Sequence, residues 1–298
     1  MASGVIVLAV GRTSADAVLS DAVTLFDPAE ATTPVGPTRR LRLTVAYDGT
    51  DFHGFAPNHG VRTVAGVLSE ALARWLGHEV EITCAGRTDR GVHARGQVIT
   101  VDGTERRLVG DDVLAGLVRS VNKMCGPEVA VRDPALVDDA FDARFSATAR
   151  RYRYRIWNHV EPDPASARQA WHVDKPLALP ILRLACDPLI GEHDFSTFCR
   201  MPKGREVEPS LVRRVTEALW VDEGDGHLRF EIEASAFCHH MVRSIVGTMI
   251  AVGVGRMTAG DVRAALAARD RSRAGDMAPP HGLTLWTVRY PGWSSVAD

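Results

Sequence analysis

The order of strand and helix patterns along the chain repeats once, and this repeat constrains the fold more than any single motif. Between residues 41 and 131 the spacing of apolar residues predicts the order β-α-β-β-α-β. Between residues 150 and 290 it predicts β-α-β-β-α-α-β. We therefore expect an α+β fold of two ferredoxin-like halves, with mixed, mainly antiparallel sheets flanked by helices and a central catalytic cleft.

Composition divides the chain into three parts. Residues 1–38 are rich in small residues, and their end, residues 32–37, contains two prolines and reads as a linker. We expect 1–38 to be a disordered N-terminal extension. Residues 39–149 are predicted to form the N-terminal α+β half, and 150–298 the C-terminal α+β half.

Apolar runs and cysteines exclude several classes of protein. No run reaches the roughly 18 apolar residues of a membrane span, and the N-terminus lacks the basic start of a signal peptide. We expect a cytoplasmic protein without a membrane partner. The 5 cysteines contain no Cys-x-x-Cys pair, which predicts free thiols. His239 and His240 follow Cys238, but adjacent helical side chains diverge, so we expect no metal site.

A long loop between the strand patterns at 80–84 and 97–101 contains a single acid, Asp89. About ten residues separate the strands, whereas a hairpin needs two to five. The charge of Asp89 is expected to lie among three arginines of the loop, Arg87, Arg90 and Arg95. An aspartate that caps a turn in a solvated loop fits this pattern. An anionic nucleophile held by arginines fits it as well.

Arginines are concentrated in one segment, although the formal charge of −2 is not typical of a nucleic-acid binder. Residues 144–155 hold five arginines and no acid. Alternation along a strand places Arg151, Arg153 and Arg155 on one face and Tyr152 on the other. This pattern fits an exposed strand beside a buried aromatic face, or a phosphate-binding surface. The predicted RNA-binding residues are Arg150, Arg151, Arg153 and Arg155.

A cation interrupts the apolar helix predicted over residues 239–252. Arg243 lies among Met241, Val242 and Ile245. Burying a cation without a partner is costly, so an acid such as Asp89 would be a natural partner for Arg243. Alternatively, the Arg243 side chain extends to the surface.

Three long motifs, at residues 84–94, 141–154 and 239–247, resemble those of the tRNA pseudouridine synthase A family. The resemblance extends over about residues 40–291, and it includes Tyr47-Asp48-Gly49 near the start and Gly282-Leu283 near the end. It implies isomerisation of uridine to pseudouridine at positions 38, 39 and/or 40 of the tRNA anticodon stem-loop. The enzyme would be a homodimer that needs neither a metal nor a small-molecule cofactor.

The resemblance also implies a role for individual residues. Asp89 matches the family's essential aspartate, the nucleophile that attacks the base or the ribose C1′ after base flipping. Arg243 matches the arginine that pairs with it. The predicted substrate-binding residues are Arg87 beside the flipped nucleotide, Tyr152 stacked on the uracil, Arg243, and Leu283 lining the base pocket. Such a site suits the chemistry, because a paired uridine must leave its stack before its glycosidic bond can break.

Two other functions remain open from the residues alone. A non-catalytic RNA-binding module fits the arginine-rich strand and the absence of two glutamines that the family commonly carries, one near Phe55 and one at position 65. A glycoside or nucleoside hydrolase using Asp89 would need a second carboxylate or an activated water. Neither alternative accounts for all three motifs.

Overall fold

A computed structural model describes residues 36–110, 112–201 and 210–297. These residues belong to one structural unit, Thr32–Asp298. The extension predicted at residues 1–38 lies outside the described residues up to position 35. The boundary predicted between 39–149 and 150–298 stays a prediction. None of the described helices is long and apolar enough to cross a membrane.

The described residues form eleven strands and six α-helices. The strands are β1 (Thr38–Tyr47), β2 (Thr83–Cys84), β3 (His93–Thr104), β4 (Val129–Val137), β5 (Ala149–Asn158), β6 (Trp171–Val173), β7 (Gly191–Asp194), β8 (Val212–Gly224), β9 (His227–Ala234), β10 (Leu283–Tyr290) and β11 (Trp293–Ser294). The helices are α1 (Val64–Leu76), α2 (Glu105–Leu108), α3 (Val113–Cys125), α4 (Leu179–Leu184), α5 (Met241–Gly253) and α6 (Ala259–Ala268).

The strands form one mixed sheet, which confirms the predicted α+β class. Its main path is β4-β1-β3-β10-β5-β9-β8-β7, with β2 paired to β3, β6 to β5 and β11 to β10. Strand β10 runs parallel to β3 and antiparallel to β5. The sheets predicted for the two halves are therefore joined through β10. The finer description as two ferredoxin-like halves stays a prediction.

Local sequence explains the elements around the site. Thr63 directly precedes a helical run of apolar residues, which predicts an N-cap, and in the structure its hydroxyl accepts a hydrogen bond from the Gly66 amide at the start of α1. Helix α5 is apolar on nearly all sides, and every residue from Ser244 to Gly253 is buried. In β5 the side chains alternate as predicted, with Tyr152 and Tyr154 buried. Residue patterns predict a strand over 283–290 and a helix over 259–268, and β10 and α6 have these bounds.

Three features differ from the sequence-based expectation. Strand β3 begins at His93, earlier than position 97, so the Asp89 loop spans 85–92. The apolar pattern predicts a helix over about residues 180–190, but α4 ends at Leu184 because a 3-10 turn containing Pro188 follows it. Cys199 and Cys238 form a disulfide bond with their Cα atoms 5.7 Å apart, so the prediction that all five cysteines are free is wrong. Cysteines 39 residues apart carry no local signal of pairing.

Candidate active site

The loop that carries Asp89 is fixed on both sides of the aspartate. The Tyr47 and Thr88 hydroxyls form a buried hydrogen bond of 2.8 Å. The Phe55 amide donates to the Thr88 carbonyl at 3.1 Å. A Cβ on Gly49 would lie 2.0 Å from the Val92 carbonyl oxygen, so only glycine lets the loop approach β1 this closely. The Tyr47-Asp48-Gly49 motif thus positions the backbone of the loop.

Three side chains surround the carboxylate of Asp89. Arg243 donates from Nη1 to Oδ2 at 3.2 Å. His239 Nε2 lies 3.3 Å from Oδ1, and His240 Nε2 lies 3.6 Å from Oδ2. The Asp89 side chain keeps 24% of its surface exposed, so a substrate can still approach it. The predicted contact between Arg243 and Asp89 is confirmed.

The predicted cluster of loop arginines around Asp89 does not form. Arg87 and Arg90 are exposed, and neither makes an ion pair with Asp89 within the described part of the chain. Arg95 lies over the Trp286 ring at 5.0 Å. The cation beside Asp89 comes from α5, 154 residues further along the chain. The role predicted for Arg87 beside a flipped nucleotide stays a prediction.

Arg243 is held at its inner end by the segment that precedes β10. Its Nε donates to the Ala278 carbonyl at 2.9 Å, and the Ala278 amide donates to the Arg243 carbonyl at 3.0 Å. The segment approaches α5 closely because residue 247 is glycine. A Cβ on Gly247 would lie 1.6 Å from the Asp276 carbonyl oxygen. Only 11% of the Arg243 side chain is exposed. Its guanidinium is therefore fixed in position before any substrate binds.

The two histidines converge on Asp89, so the prediction that their side chains diverge is wrong. Helix α5 begins only at Met241, and His240 precedes it in the left-handed conformation, with φ 68°. This backbone brings the two rings to 3.8 Å between centroids. Burial lowers the pKa of His240 below its ordinary value, although the nearby Asp89 charge opposes this shift. In the sequence, the only indication that these histidines belong to the site is that they form a pair just before an apolar helix.

Tyr152 and Leu283 lie on neighbouring strands. Tyr152 is buried and packs edge-on against Phe237, with ring centroids 5.0 Å apart. Its hydroxyl lies beside the Asp89 loop. A Cβ on Gly86, a residue of that loop, would be 3.8 Å from the hydroxyl oxygen of Tyr152. Burial, and then the charge of Asp89, raise the pKa of Tyr152 well above its ordinary value, so the hydroxyl stays protonated. Leu283, also buried, lies opposite Tyr154 at the start of β10.

The chain is similar to proteins of one known family. The tRNA pseudouridine synthase family profile matches residues 43–142 and 185–291, which include Asp89, Arg243 and Leu283. The chain belongs to this family. It is 37% identical over 253 residues to tRNA pseudouridine synthase A of Bartonella tribocorum, covering 84% of this chain and 99% of the relative. It is 40% identical over 252 residues to the protein of the same name from Xanthobacter autotrophicus, with the same coverage. A chain of a Cbf5-Nop10-Gar1 complex resembles it at TM-score 0.32 and 12% identity, over 71% of this chain and 45% of that one.

Arg150 braces the loop that carries Asp89, because its side chain donates to the Ala85 carbonyl. Its side chain lies on the buried face of β5. All five of its N–H groups donate to backbone carbonyls, which leaves none for a phosphate. The acceptors are Ala85 at 3.3 and 3.0 Å, Ala147 at 3.1 Å, Ser235 at 2.8 Å and Arg144 at 2.5 Å. Its predicted contact with RNA stays a prediction that these hydrogen bonds do not favour.

We expect Arg150→Met to lower the free energy of unfolding by at least about 2 kcal/mol, because each buried carbonyl left without a donor costs about 1–3 kcal/mol. Denaturant unfolding measures this loss. Arg155→Met is the matched control, since Arg155 lies on the same strand and makes one long hydrogen bond, 3.5 Å to Gln169. Equal stabilities of the two variants would contradict the bracing role of Arg150.

Two other arginines of β5, Arg151 and Arg153, face glutamates across the sheet. Arg151 pairs with Glu217 at 2.7 Å and Glu233 at 2.9 Å. Arg153 pairs with Glu231 at 2.9 Å. Hence the surface that the sequence predicts to be basic is largely neutralised by neighbouring strands. RNA binding by Arg151, Arg153 and Arg155 stays a prediction.

Proposed function

We propose that this protein converts uridine to pseudouridine at position 38, 39 and/or 40 of the tRNA anticodon stem-loop, with Asp89 as the nucleophile. Membership of the tRNA pseudouridine synthase family supports an isomerase that acts on tRNA. The observation that carries the finer proposal is the Asp89 carboxylate held at 3.2 Å by Arg243 while part of it remains exposed. A partly exposed anion with a fixed cationic neighbour suits a nucleophile.

The reaction rearranges one bond and needs no redox partner. If Asp89 attacks the ribose, an oxygen–C1′ bond forms while the N1–C1′ bond breaks. The freed uracil turns, its C5 attacks C1′ and displaces the carboxylate, and the C5 proton is lost while N1 gains one. If Asp89 attacks the base instead, its oxygen adds to C6 of the ring, the same N1–C1′ bond breaks and C5 bonds to C1′. N1 then gains a proton, and loss of the C5 proton expels the carboxylate from C6. In both routes one carboxylate suffices, and atoms and charge balance.

Each neighbour of Asp89 has a role in this proposal. Arg243 orients the carboxylate and favours its ionised form. Tyr152 stacks on the flipped uracil and offers a protonated hydroxyl. Leu283 lines the apolar side of the base pocket, and Arg87, exposed in the same loop, reaches the flipped nucleotide. A flipped base is commonly held by stacking against aromatic or apolar side chains.

A basic groove beside the site supports binding of a nucleic-acid backbone. It encloses about 590 Å³ and borders His240, which contacts Asp89. Three arginines line it, Arg200, Arg269 and Arg271. Arginine side chains attract phosphates even when the total charge of a protein is near zero. In this proposal the tRNA backbone lies along the groove, next to His240.

Several finer expectations belong to the same proposal. The protein acts as a homodimer in the cytoplasm, and its reaction uses neither a metal nor a small-molecule cofactor. The two halves of the sheet, on either side of β10, are ferredoxin-like. The site lies where these halves meet, because Asp89 comes from the loop before β3 and Arg243 from α5.

The test is incubation of the purified protein with unmodified tRNA transcripts that carry uridine at 38, 39 or 40, in EDTA-treated buffer without nucleotide. We expect pseudouridine at these positions, read by position-resolved detection. Tight binding to several tRNAs without product would favour the RNA-binding alternative. Release of free uracil would favour a hydrolase.

A further inference from the structure

Asp89, His239 and His240 each bring a potential metal-ligand atom into one small space. These three atoms all lie within 4.8 Å of one another. The histidine nitrogens are 3.3 and 3.6 Å from the two carboxylate oxygens. Two ligands of a tetrahedral zinc ion, each bound at about 2.0–2.1 Å, are themselves separated by about 3.3–3.4 Å. The two histidine–carboxylate separations are therefore close to the distance between two ligands of one ion.

The backbone brings these three side chains together. His240 is held in the left-handed conformation by the start of α5, and the Arg200 amide donates to the His239 carbonyl at 2.9 Å. The Asp89 loop is anchored independently through Thr88. Binding of an ion here costs little conformational entropy, since the ligand side chains are already close together.

We propose that Asp89, His239 and His240 bind a divalent transition-metal ion such as Zn²⁺ or Co²⁺, and that the bound ion blocks the reaction. The blocking step rests on the proposed function, in which Asp89 attacks the substrate. Two imidazoles and one carboxylate suit borderline ions, whereas Mg²⁺ prefers oxygen ligands and keeps its waters. The ion occupies the lone pairs with which the carboxylate would attack.

Arg243 sets the strength of this site. Its Nη1 donates to Oδ2 of Asp89, so the positive charge of Arg243 repels a second cation at that oxygen. Oδ1 faces His239 and accepts no hydrogen bond from Arg243. We therefore expect reversible binding of the ion, and release by a chelator restores activity. The ion acts as an inhibitor and is no part of the catalytic machinery.

The binding test uses the full chain, freed of metal with EDTA, and needs no tRNA. Co²⁺ is titrated while its visible absorption is followed, and Zn²⁺ is then added to displace it. We expect one saturable site per chain. His239→Ala and Asp89→Asn should each weaken Co²⁺ binding by about tenfold or more, since even loss of a group that supports a ligand costs about 10- to 100-fold. His59→Ala, an exposed histidine in the loop before α1, is the matched control and should bind like the wild type.

Cysteine thiols are the competing ligands. Reduction of the bond between Cys199 and Cys238 would expose two thiols next to His239. The double variant Cys199→Ser with Cys238→Ser should retain the Co²⁺ site if our proposal is right. Loss of binding in this variant, together with unchanged binding in His239→Ala, would overturn the proposal and assign the ion to the thiols.

The inhibition test compares two constants of the wild-type protein at fixed Mg²⁺. We expect the free Zn²⁺ concentration that halves pseudouridine formation to match the dissociation constant obtained from Co²⁺ displacement, and EDTA to restore the rate. Full activity with the site saturated would refute the block. The outcomes are separable: a protein that binds Co²⁺ but makes no pseudouridine fails the proposed function, whereas an active protein that binds no ion fails only this inference.

Discussion

Replacing Asp89 by asparagine should reduce pseudouridine formation by about 10⁴-fold or more, because the amide keeps the shape of the carboxylate but cannot attack carbon as an anion. The side chain is 24% exposed and contacts only groups of the site, so the fold should tolerate the change. Single-turnover assays with excess enzyme measure the loss directly. Affinity for tRNA should stay within about threefold of the wild type, since the phosphate-binding surface is untouched.

Two controls make this result specific. Asp89→Ala must behave like Asp89→Asn, because slow deamidation of asparagine would regenerate the wild type and leave a trace of activity. The midpoint of thermal unfolding must stay close to that of the wild type, so that lost activity reflects lost chemistry. Appreciable turnover by Asp89→Ala would remove Asp89 from the role of nucleophile.

Patterns of short range in the sequence predicted the local structure well. The N-cap Thr63, the alternation of Tyr152 and Tyr154 in β5, and the bounds of β10 all follow from residue spacing, which depends on backbone geometry alone. The local argument that a cation in an apolar helix needs an anion offered Asp89 as a partner for Arg243 but left extension to the surface open, and the family resemblance favoured the pairing.

Contacts across the sheet were harder to predict, because they depend on register. From the sequence, the arginines of β5 fit a phosphate-binding surface. In the structure, β9 lies beside β5 with Glu233 opposite Arg151 and Glu231 opposite Arg153. The convergence of His239 and His240 depended on one left-handed residue, and sequence does not reveal where such a residue occurs. Arg150 lies two residues before Tyr152 and therefore on the same face of β5. Alternation alone could have assigned its side chain to the buried face.

Replacing Arg243 by leucine should lower the single-turnover rate by about a hundredfold to a thousandfold, the usual effect of removing one fixed electrostatic partner from an active site. The change removes both the 3.2 Å hydrogen bond to Asp89 and the 2.9 Å hydrogen bond to Ala278. Leucine suits the surrounding face of α5, where Val242 and Val246 are buried. The fold should therefore persist with a modest loss of stability, which circular dichroism and thermal unfolding would record.

Arg243→Lys separates charge from geometry. Lysine keeps the positive charge, but its single ammonium group does not reproduce the planar fork that joins Ala278 to Asp89. We expect a rate between those of the leucine variant and the wild type, with tRNA affinity unchanged in both variants. A wild-type rate for Arg243→Leu would place this arginine outside the chemistry. A lysine variant as slow as the leucine variant would show that orientation of the carboxylate, and not the nearby charge alone, is what Arg243 provides.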